Sequence, residues 1–182
     1  MEWIIATSIV AVIALVIILW WISTGNSFKR KNVKISEALS GVEVALTNRF
    51  DMLTKLLEVA KGFADHERNL FARIVEMRRG MSVGELNKAS EQADALASRL
   101  FAVAEAYPEL RSSEVFRELQ AGIRSVEQHL QAARRLYNSN VSAFNSAIIV
   151  FPASMVAKSK RLEEKEFFSA EESKRVDVEM KF

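Results

Sequence analysis

The sequence predicts an all-α protein in which an N-terminal transmembrane helix is followed by an antiparallel, up-down bundle of long helices. Three observations lead to this prediction. Residues 3–22 form one uncharged apolar run. Apolar residues then recur every three or four positions, the period of a helix packed on partner helices. Only two prolines and six glycines interrupt 182 residues, so long helices meet few breaks.

The apolar run, WIIATSIVAVIALVIILWWI, is predicted to be a retained membrane anchor within a domain of residues 1–24. At about 1.5 Å per residue it spans roughly 30 Å, the thickness of a bilayer's hydrocarbon core. Trp3, Trp20 and Trp21 stand at its ends, where interfacial aromatic residues collect. A cleaved signal peptide is disfavoured, because only Glu2 and the terminal amine precede the run and no small-x-small cleavage site follows it.

Cations follow the apolar run and none precedes it, which predicts its orientation. Lys29, Arg30, Lys31 and Lys34 lie in a predicted basic juxtamembrane linker, residues 25–34. The positive-inside rule then leaves the N-terminus outside and the C-terminal domain in the cytoplasm. The same side chains could contact anionic lipid, at roughly 1 kcal/mol each, as a by-product of this topology.

Residues 35–159 are predicted to form a cytosolic bundle of three helices. Each helix carries an apolar seam, meaning a line of apolar positions three and four residues apart, as in coiled coils. The seams cover residues 35–77, 86–107 and 116–151. The predicted breaks are the glycines of RRGMSVGEL, then Pro108 and Pro152, with Ser112 and Ser113 capping the third helix. Short connections make neighbouring helices antiparallel.

The predicted helices differ in length. The first has about 45 residues, near 68 Å, and the second about 22, near 33 Å. The second is too short to cover the whole first seam, so residues 35–53 are expected to present an apolar stripe. A bend in the first helix, the C-terminal segment or a second copy of the chain could cover it. Self-association is favoured, which predicts a homo-oligomer.

The stretch DHE places Asp65, His66 and Glu67 side by side, and such side chains often bind metals or move protons. Successive helical residues point about 100° apart, so these three cannot converge on one ion. HERNL also lacks the second histidine of a HExxH zinc motif. We therefore predict no catalytic, metal or cofactor site, no enzymatic activity and no small-molecule substrate.

Composition excludes further classes. The chain has no cysteine, which removes disulfides and thiolate zinc sites. Its 25 basic and 23 acidic residues nearly cancel, at +2, and no long basic block stands out. A nucleic-acid partner is therefore not expected.

Polar residues on the seams predict a structural polar core. Glu67 interrupts the first seam and is predicted to pair with Arg134 on the third helix, which would fix the register of the helices. Arg49 is either a second register-setting charge or a side chain that snorkels to water. The full predicted set is Arg49, His66, Glu67, Glu127, Arg134, Tyr137 and Asn138.

Residues 160–182 form a tail dense in both charges. A solvated tail or a short helix is the simplest interpretation. Phe167, Phe168 and Phe182 argue for docking, because exposed aromatic residues in a charged tail usually bind somewhere. They are predicted to dock on the bundle or to form a motif for a partner.

Four stretches resemble, in the same order, the sequence motifs of the LemA family. They are RFDMLTKLLEVAKGFADHE (49–67), AEAYPELRSSEVFRELQ (104–120), VEQHLQAARRLYNSNVSAFN (126–145) and FPASMVA (151–157). Thr54 stands where the family usually has proline, which leaves a kink in the first helix undecided. The resemblance implies a single-pass bacterial or archaeal protein of the plasma (inner) membrane with a cytosolic helical bundle.

A family resemblance does not by itself confer an activity. The sequence favours a membrane-anchored, non-enzymatic scaffold that associates with itself and with the lipid bilayer. The alternative is an adaptor for a membrane-bound partner, such as a quality-control protease or a membrane-remodelling assembly.

Overall fold

A computed structural model of the chain describes residues 1–61 and 81–168. Five helices are assigned there, and no described residue lies in a strand. The helices are α1 (Glu2–Lys61), α2 (Val83–Ala106), α3 (Pro108–Ser112), α4 (Glu114–Ile149) and α5 (Ala153–Ser159). The prediction of an all-α protein, with an apolar N-terminal helix followed by helices that pack together, is confirmed.

Helix α1 joins the apolar run to the bundle without a break over 60 residues. The basic stretch 25–34, which the sequence predicts as a linker, is one of its helical parts. The helix also continues through Thr54, whose hydroxyl donates to the Phe50 carbonyl at 2.8 Å. An 18-residue window of α1 has a mean hydropathy of 2.7 and none of it is buried, so this helix is long and apolar enough to cross a membrane.

The ends of the other helices follow local signals. Ser82 and Glu85 form a reciprocal capping box at the start of α2. Helix α2 stops before Pro108, as predicted, and Pro108 begins the short helix α3, which the sequence analysis did not anticipate. The Ser113 hydroxyl accepts a hydrogen bond from the Phe116 N–H at 3.1 Å, so the predicted serine cap of the third helix is confirmed.

The described residues form two compact units. We call Met1–Glu37 with Asn138–Glu166 the span unit, and Ala38–Tyr137 with Phe167 and Phe168 the bundle unit. In the span unit α1 and α4 run antiparallel, since Phe28 meets Phe144 while Lys34 meets Asn140. In the bundle unit they are antiparallel as well, since Arg49 meets Glu127 and Met52 lies beside Gly122.

The apolar core of the bundle unit draws on α1, α2, α3 and α4. Small side chains on α2 let it approach closely, and large ones on α1 fill the space between the helices. Burying each leucine completely contributes about 1.5–3 kcal/mol. The core residues are Phe50, Leu53, Leu56, Leu57, Ala60, Ala89, Ala93, Leu96, Ala97, Leu100, Ala104, Leu110, Phe116 and Ile123.

The predicted apolar stripe at residues 35–53 is not exposed, which corrects that expectation. Ile35 is 5% exposed, and Val42, Leu46 and Leu53 are completely buried within one chain. Helix α4 has 36 residues, about 54 Å, and lies antiparallel to this part of α1. The second helix is too short to cover this part of α1, whereas the longer third helix supplies the cover.

The third seam also ends earlier than predicted. Phe151, its last predicted member, is 76% exposed, and α4 stops at Ile149. Helix α5 leaves the end of α4 at 94°. Ile149, Val150 and Met155 are exposed around this turn as well. We call residues 149–155 the apolar corner of the span unit.

Candidate functional site

A charged layer crosses the bundle unit, with one residue from each of its three long helices: a buried arginine and two carboxylates that are 29% and 32% exposed. Arg49 of α1 is only 5% exposed. Its Nη2 donates to Asp94 Oδ1 of α2 and lies 3.1 Å from Glu127 Oε2 of α4. The Arg49 guanidinium is thus buried and held by two carboxylates, which removes the alternative that Arg49 snorkels to water.

A further hydrogen bond orients the charged layer, but some of its polar atoms have no hydrogen-bond partner among the described residues. Gln131 donates to Glu127 Oε1 at 2.9 Å, one helical turn away, and so fixes the carboxylate. Arg49 Nε and Nη1 are buried without a hydrogen-bond partner among residues 1–61 and 81–168. A buried charge that loses its partner costs several kcal/mol, so only one axial alignment of the three helices is favourable. The layer can therefore fix the register of otherwise similar apolar seams.

A second polar group surrounds Arg134 of α4. Its Nη2 donates to Ser90 Oγ of α2, and Ser90 is 3% exposed. The guanidinium carbon lies 4.9 Å from the centroid of the Phe168 ring, a cation–π arrangement. Tyr137 meets the same ring edge-on at 6.5 Å. Arg134 and Tyr137 thus form the seat of Phe168.

The structure brings some predicted polar-core residues together and leaves others untested. Arg49 and Glu127 meet each other, and Arg134 and Tyr137 meet around Phe168. Asn138 is half-buried and belongs to the span unit. The stretch with Asp65, His66 and Glu67 lies outside the described residues, so the pairing of Glu67 with Arg134 stays a prediction.

Two members of these groups, Asp94 and Ser90, were not predicted. Both lie one residue after a seam position of α2, the alanines Ala93 and Ala89. Polar residues so close to a seam usually reach solvent along its edge. The available signal was their spacing of four residues, one helical turn, which puts both on one face of α2.

The predicted membrane-interface residues all lie on α1. Trp3 is 86% exposed and Trp20 is 37% exposed, and Trp20 meets Trp21 edge-on at 6.5 Å. Lys29 and Arg30 are exposed, and Lys31 is half-buried. The predicted tail residues divide: Phe168 is buried at 3%, whereas Phe167 is 51% exposed. Phe182 lies outside the described residues.

The segment before these phenylalanines is held on α4 within the span unit. The Asn145 side chain is 7% exposed and makes two hydrogen bonds to the Lys165 backbone. Its amide donates to the Lys165 carbonyl at 2.9 Å, and its carbonyl accepts from the Lys165 N–H at 2.9 Å. One buried side chain therefore ties the segment that follows α5 to α4 at Lys165.

Replacing Asn145 by alanine is expected to release this segment. Two net hydrogen bonds are lost, so the free energy of unfolding should fall by about 1–3 kcal/mol. Amide hydrogen exchange on the full chain should show faster exchange at Lys165. Ser146→Ala, at the exposed neighbouring position, is the matched control and should change neither quantity. Unchanged protection of Lys165 in Asn145→Ala would contradict the expectation.

Comparison with known proteins adds two findings. The model of the LemA family matches residues 38–182. The chain is also similar to Protein LemA of Metamycoplasma hominis, with 28% identity over 164 residues that cover 87% of this chain and 75% of the relative. The range matched by the family model includes Arg49, Asp94 and Glu127 as well as the seat of Phe168.

Proposed function

The chain belongs to the LemA family, and from that premise we propose that it is a membrane-anchored, non-enzymatic scaffold that presents a cytoplasmic helical bundle. The observation that carries the proposal is the continuity of α1. One helix holds the exposed apolar run and, further along, the buried residues Leu46, Leu53 and Leu56. An element that is at once anchor and core suits a protein whose role is to hold a surface at a membrane.

The proposed orientation places the N-terminus outside and the rest of the chain on the cytoplasmic side of the plasma (inner) membrane. The cations Lys29, Arg30 and Lys31 directly follow the apolar run and support this by the positive-inside rule. The charged layer supports a structural role for the bundle, because its two carboxylates are engaged with the buried Arg49.

Homo-oligomerisation stays part of the proposal, but on different surfaces from those first expected. The apolar seam of residues 35–53 is buried in the single chain and so cannot form the interface. Large apolar side chains of the bundle unit that lie off this seam are exposed, namely Val44 at 58%, Val115 at 53% and Leu136 at 59%. These are the positions from which contact with a second copy is to be sought.

The second candidate is an adaptor for a membrane-bound protein partner, and the pair Phe167 and Phe168 favours it. Phe168 is seated between Arg134 and Tyr137, while its neighbour Phe167 is left 51% exposed. A docked residue fixes the place of the exposed aromatic ring beside it. Exposed aromatic side chains in fixed positions are frequent anchors in protein interfaces.

Site-specific photo-crosslinking of the full chain in its native membrane tests both candidates. A photoreactive residue is placed at Leu136 or at Phe167, and at buried Leu130 as the matched control. We expect self-links from Leu136, links to a second membrane protein only if the adaptor role holds, and neither from Leu130. A chain that yields no protein links from either exposed position would contradict the scaffold and the adaptor alike.

A further inference from the structure

A cavity of about 480 Å³ lies in the span unit, lined by α1, the end of α4 and the segment that follows α5. Its floor is apolar. Phe28 and Phe144 meet there edge-on at 6.5 Å, and both rings are almost completely buried. Half-buried Leu162 adds to the apolar wall.

The rim of this cavity is strongly basic. Lys29, Lys160, Arg161 and Lys165 line it, and Glu163 is the single acidic residue among the described lining residues. Within residues 1–61 and 81–168, none of the four cations makes a salt bridge. An excess of uncompensated positive charge around an apolar floor favours an anion that carries an apolar group.

The helix register places the cavity directly past the end of the apolar run. At about 1.5 Å per residue, Gly25 and Lys29 lie roughly 5 and 10 Å beyond Ile22, and the headgroup layer is roughly 5–8 Å thick. Helical side chains point back toward the N-terminus, so the Lys29 ammonium is directed toward this layer. The cavity therefore opens at the depth of lipid headgroups.

The apolar corner reaches the same depth. Phe144 is level with Phe28, and the two helices are antiparallel. Val150, about six residues further along, is therefore level with Ile22 at the end of the apolar run. Val150 is 60% exposed and Phe151 is 76% exposed. Such side chains at the edge of the hydrocarbon layer can lie against acyl chains.

The backbone at Arg161 points to a use for its side chain. Helix α5 ends in a Schellman motif, with hydrogen bonds from Leu162 N–H to Ala157 O and from Arg161 N–H to Lys158 O. The residue in the left-handed position of this motif is usually glycine, but here it is Arg161, with φ 51°. A side chain that occupies a conformation unfavourable for it is a pointer to function.

Lys160 lies on the same side of the cavity as α1. Its side chain passes Gly25, where a Cβ would stand 2.8 Å from Lys160 Cε. The hydrogen bonds from Asn145 fix Lys165 in the same segment. Two cations of the rim, Arg161 and Lys165, therefore lie on backbone that is fixed by hydrogen bonds.

We propose that this cavity binds the phosphate headgroup of an anionic phospholipid. The four cations hold the phosphate, Phe28 and Phe144 support the glycerol end, and the apolar corner borders the acyl chains. A lipid fits better than free phosphate, because the floor is apolar and the cavity lies directly past the end of the apolar run. The inference rests on the proposed placement of residues 3–22 in the membrane.

The test uses the full chain with Trp3→Phe, so that Trp20 and Trp21, next to the cavity, are the fluorescent reporters. The chain is reconstituted in phosphatidylcholine vesicles that contain brominated phosphatidylglycerol or brominated phosphatidylcholine. Quenching measures which lipid contacts the reporters. We expect brominated phosphatidylglycerol to quench the tryptophan fluorescence more strongly than its mole fraction in the bilayer predicts. Arg161→Gln and Arg161→Gly should each reduce this preference, by about fivefold for one cation.

Two comparisons distinguish specific lipid binding in the cavity from general attraction by surface charge. Lys158→Gln removes an equal charge from an exposed position of α5 outside the cavity and should leave the preference unchanged. Arg161→Gly should also unfold at the same temperature as the parent or a higher one, because glycine suits the left-handed position. Loss of lipid preference without loss of stability is the expected signature.

Three outcomes would overturn the proposal. One is an equal loss of preference in Lys158→Gln and Arg161→Gln, which means surface charge alone. Another is an Arg161→Gly variant that keeps the whole preference of the parent chain for brominated phosphatidylglycerol. The third is displacement of the lipid by soluble glycerophosphate, which means a site for free phosphate. If brominated phosphatidylcholine causes no quenching at all, the proposed membrane placement itself fails, and that result is distinct from a lost preference.

Discussion

Replacement of Arg49 by alanine is expected to lower the free energy of unfolding by about 3 kcal/mol, the lower end of the range for breaking a buried ion pair, because solvent partly screens the two carboxylates. The variant leaves Asp94 and Glu127, which are 29% and 32% exposed, beside each other at the edge of the core without the guanidinium that holds them. It also leaves a cavity where the arginine stem lay. For a chain of this size the midpoint of thermal unfolding should fall by on the order of 10 °C.

Circular dichroism of the full chain in detergent micelles measures this midpoint. Arg135→Ala is the matched control, because Arg135 is an exposed arginine on α4 and its loss should cost less than about 0.5 kcal/mol. A shift in Arg49→Ala no larger than in the control would show that the layer contributes nothing to stability.

A second variant distinguishes the contribution of the charged layer to stability from its role in fixing the register of the helices. Replacing Arg49 by methionine and both carboxylates by leucine removes the whole charged layer while keeping its volume. Such replacements are often neutral or stabilising by about 1–4 kcal/mol. If the layer fixes register, this variant should remain helical but lose the sharp amide spectrum of a single packed state. A stable variant with one sharp set of signals would contradict the register role.

Replacement of Phe168 by alanine is expected to cost about 3 kcal/mol, near the lower end of the range for a buried phenylalanine. The ring is 3% exposed and is held by the guanidinium of Arg134 and the edge of Tyr137. Its removal loses buried apolar area together with both ring contacts. The midpoint of thermal unfolding should fall accordingly, and the C-terminal segment should become a better substrate for proteases.

The neighbouring residue provides the control for this prediction. Phe167→Ala removes the same ring from a position that is 51% exposed, so its effect on the unfolding midpoint should be small. Limited proteolysis of the two variants should therefore differ clearly. Equal effects in both variants would mean that Phe168 is not the residue that docks the segment.

Periodicity was sufficient to predict the long helices α1, α2 and α4 and several of their ends, but not the short helices α3 and α5. Pro108 and Ser113 act through local chemistry, by removing a backbone donor and by capping one, and such effects depend on few neighbours. The identity of the helix that covers a seam is a tertiary property. For this reason residues 35–53 were expected to be exposed, although the length of the third seam would have allowed α4 to cover them.

In the charged layer, too, some residues could be predicted from the local sequence, whereas their contacts depend on how the helices pack. Arg49 and Glu127 could be singled out because they stand on or beside apolar seams. Asp94 could not, because its position relative to Arg49 depends on the axial alignment of α1 and α2, which two similar seams leave open. The seat of Phe168 was beyond prediction for a related reason. Exposed and buried phenylalanines are adjacent there, and only the contacts of Arg134 and Tyr137 distinguish them.

The antiparallel contact of α1 with α4 also sets an order of events during synthesis. Lys34 and Asn140 meet across 106 residues of sequence. At about 5–20 residues per second, the ribosome needs roughly 5–20 s to make the intervening chain. During this interval the apolar face of α1 beyond residues 3–22 has no α4 to cover it. A nascent chain at this stage is exposed to chaperones and to neighbouring nascent chains, and it is at this stage that variants weakening the α1–α4 contact should aggregate most readily.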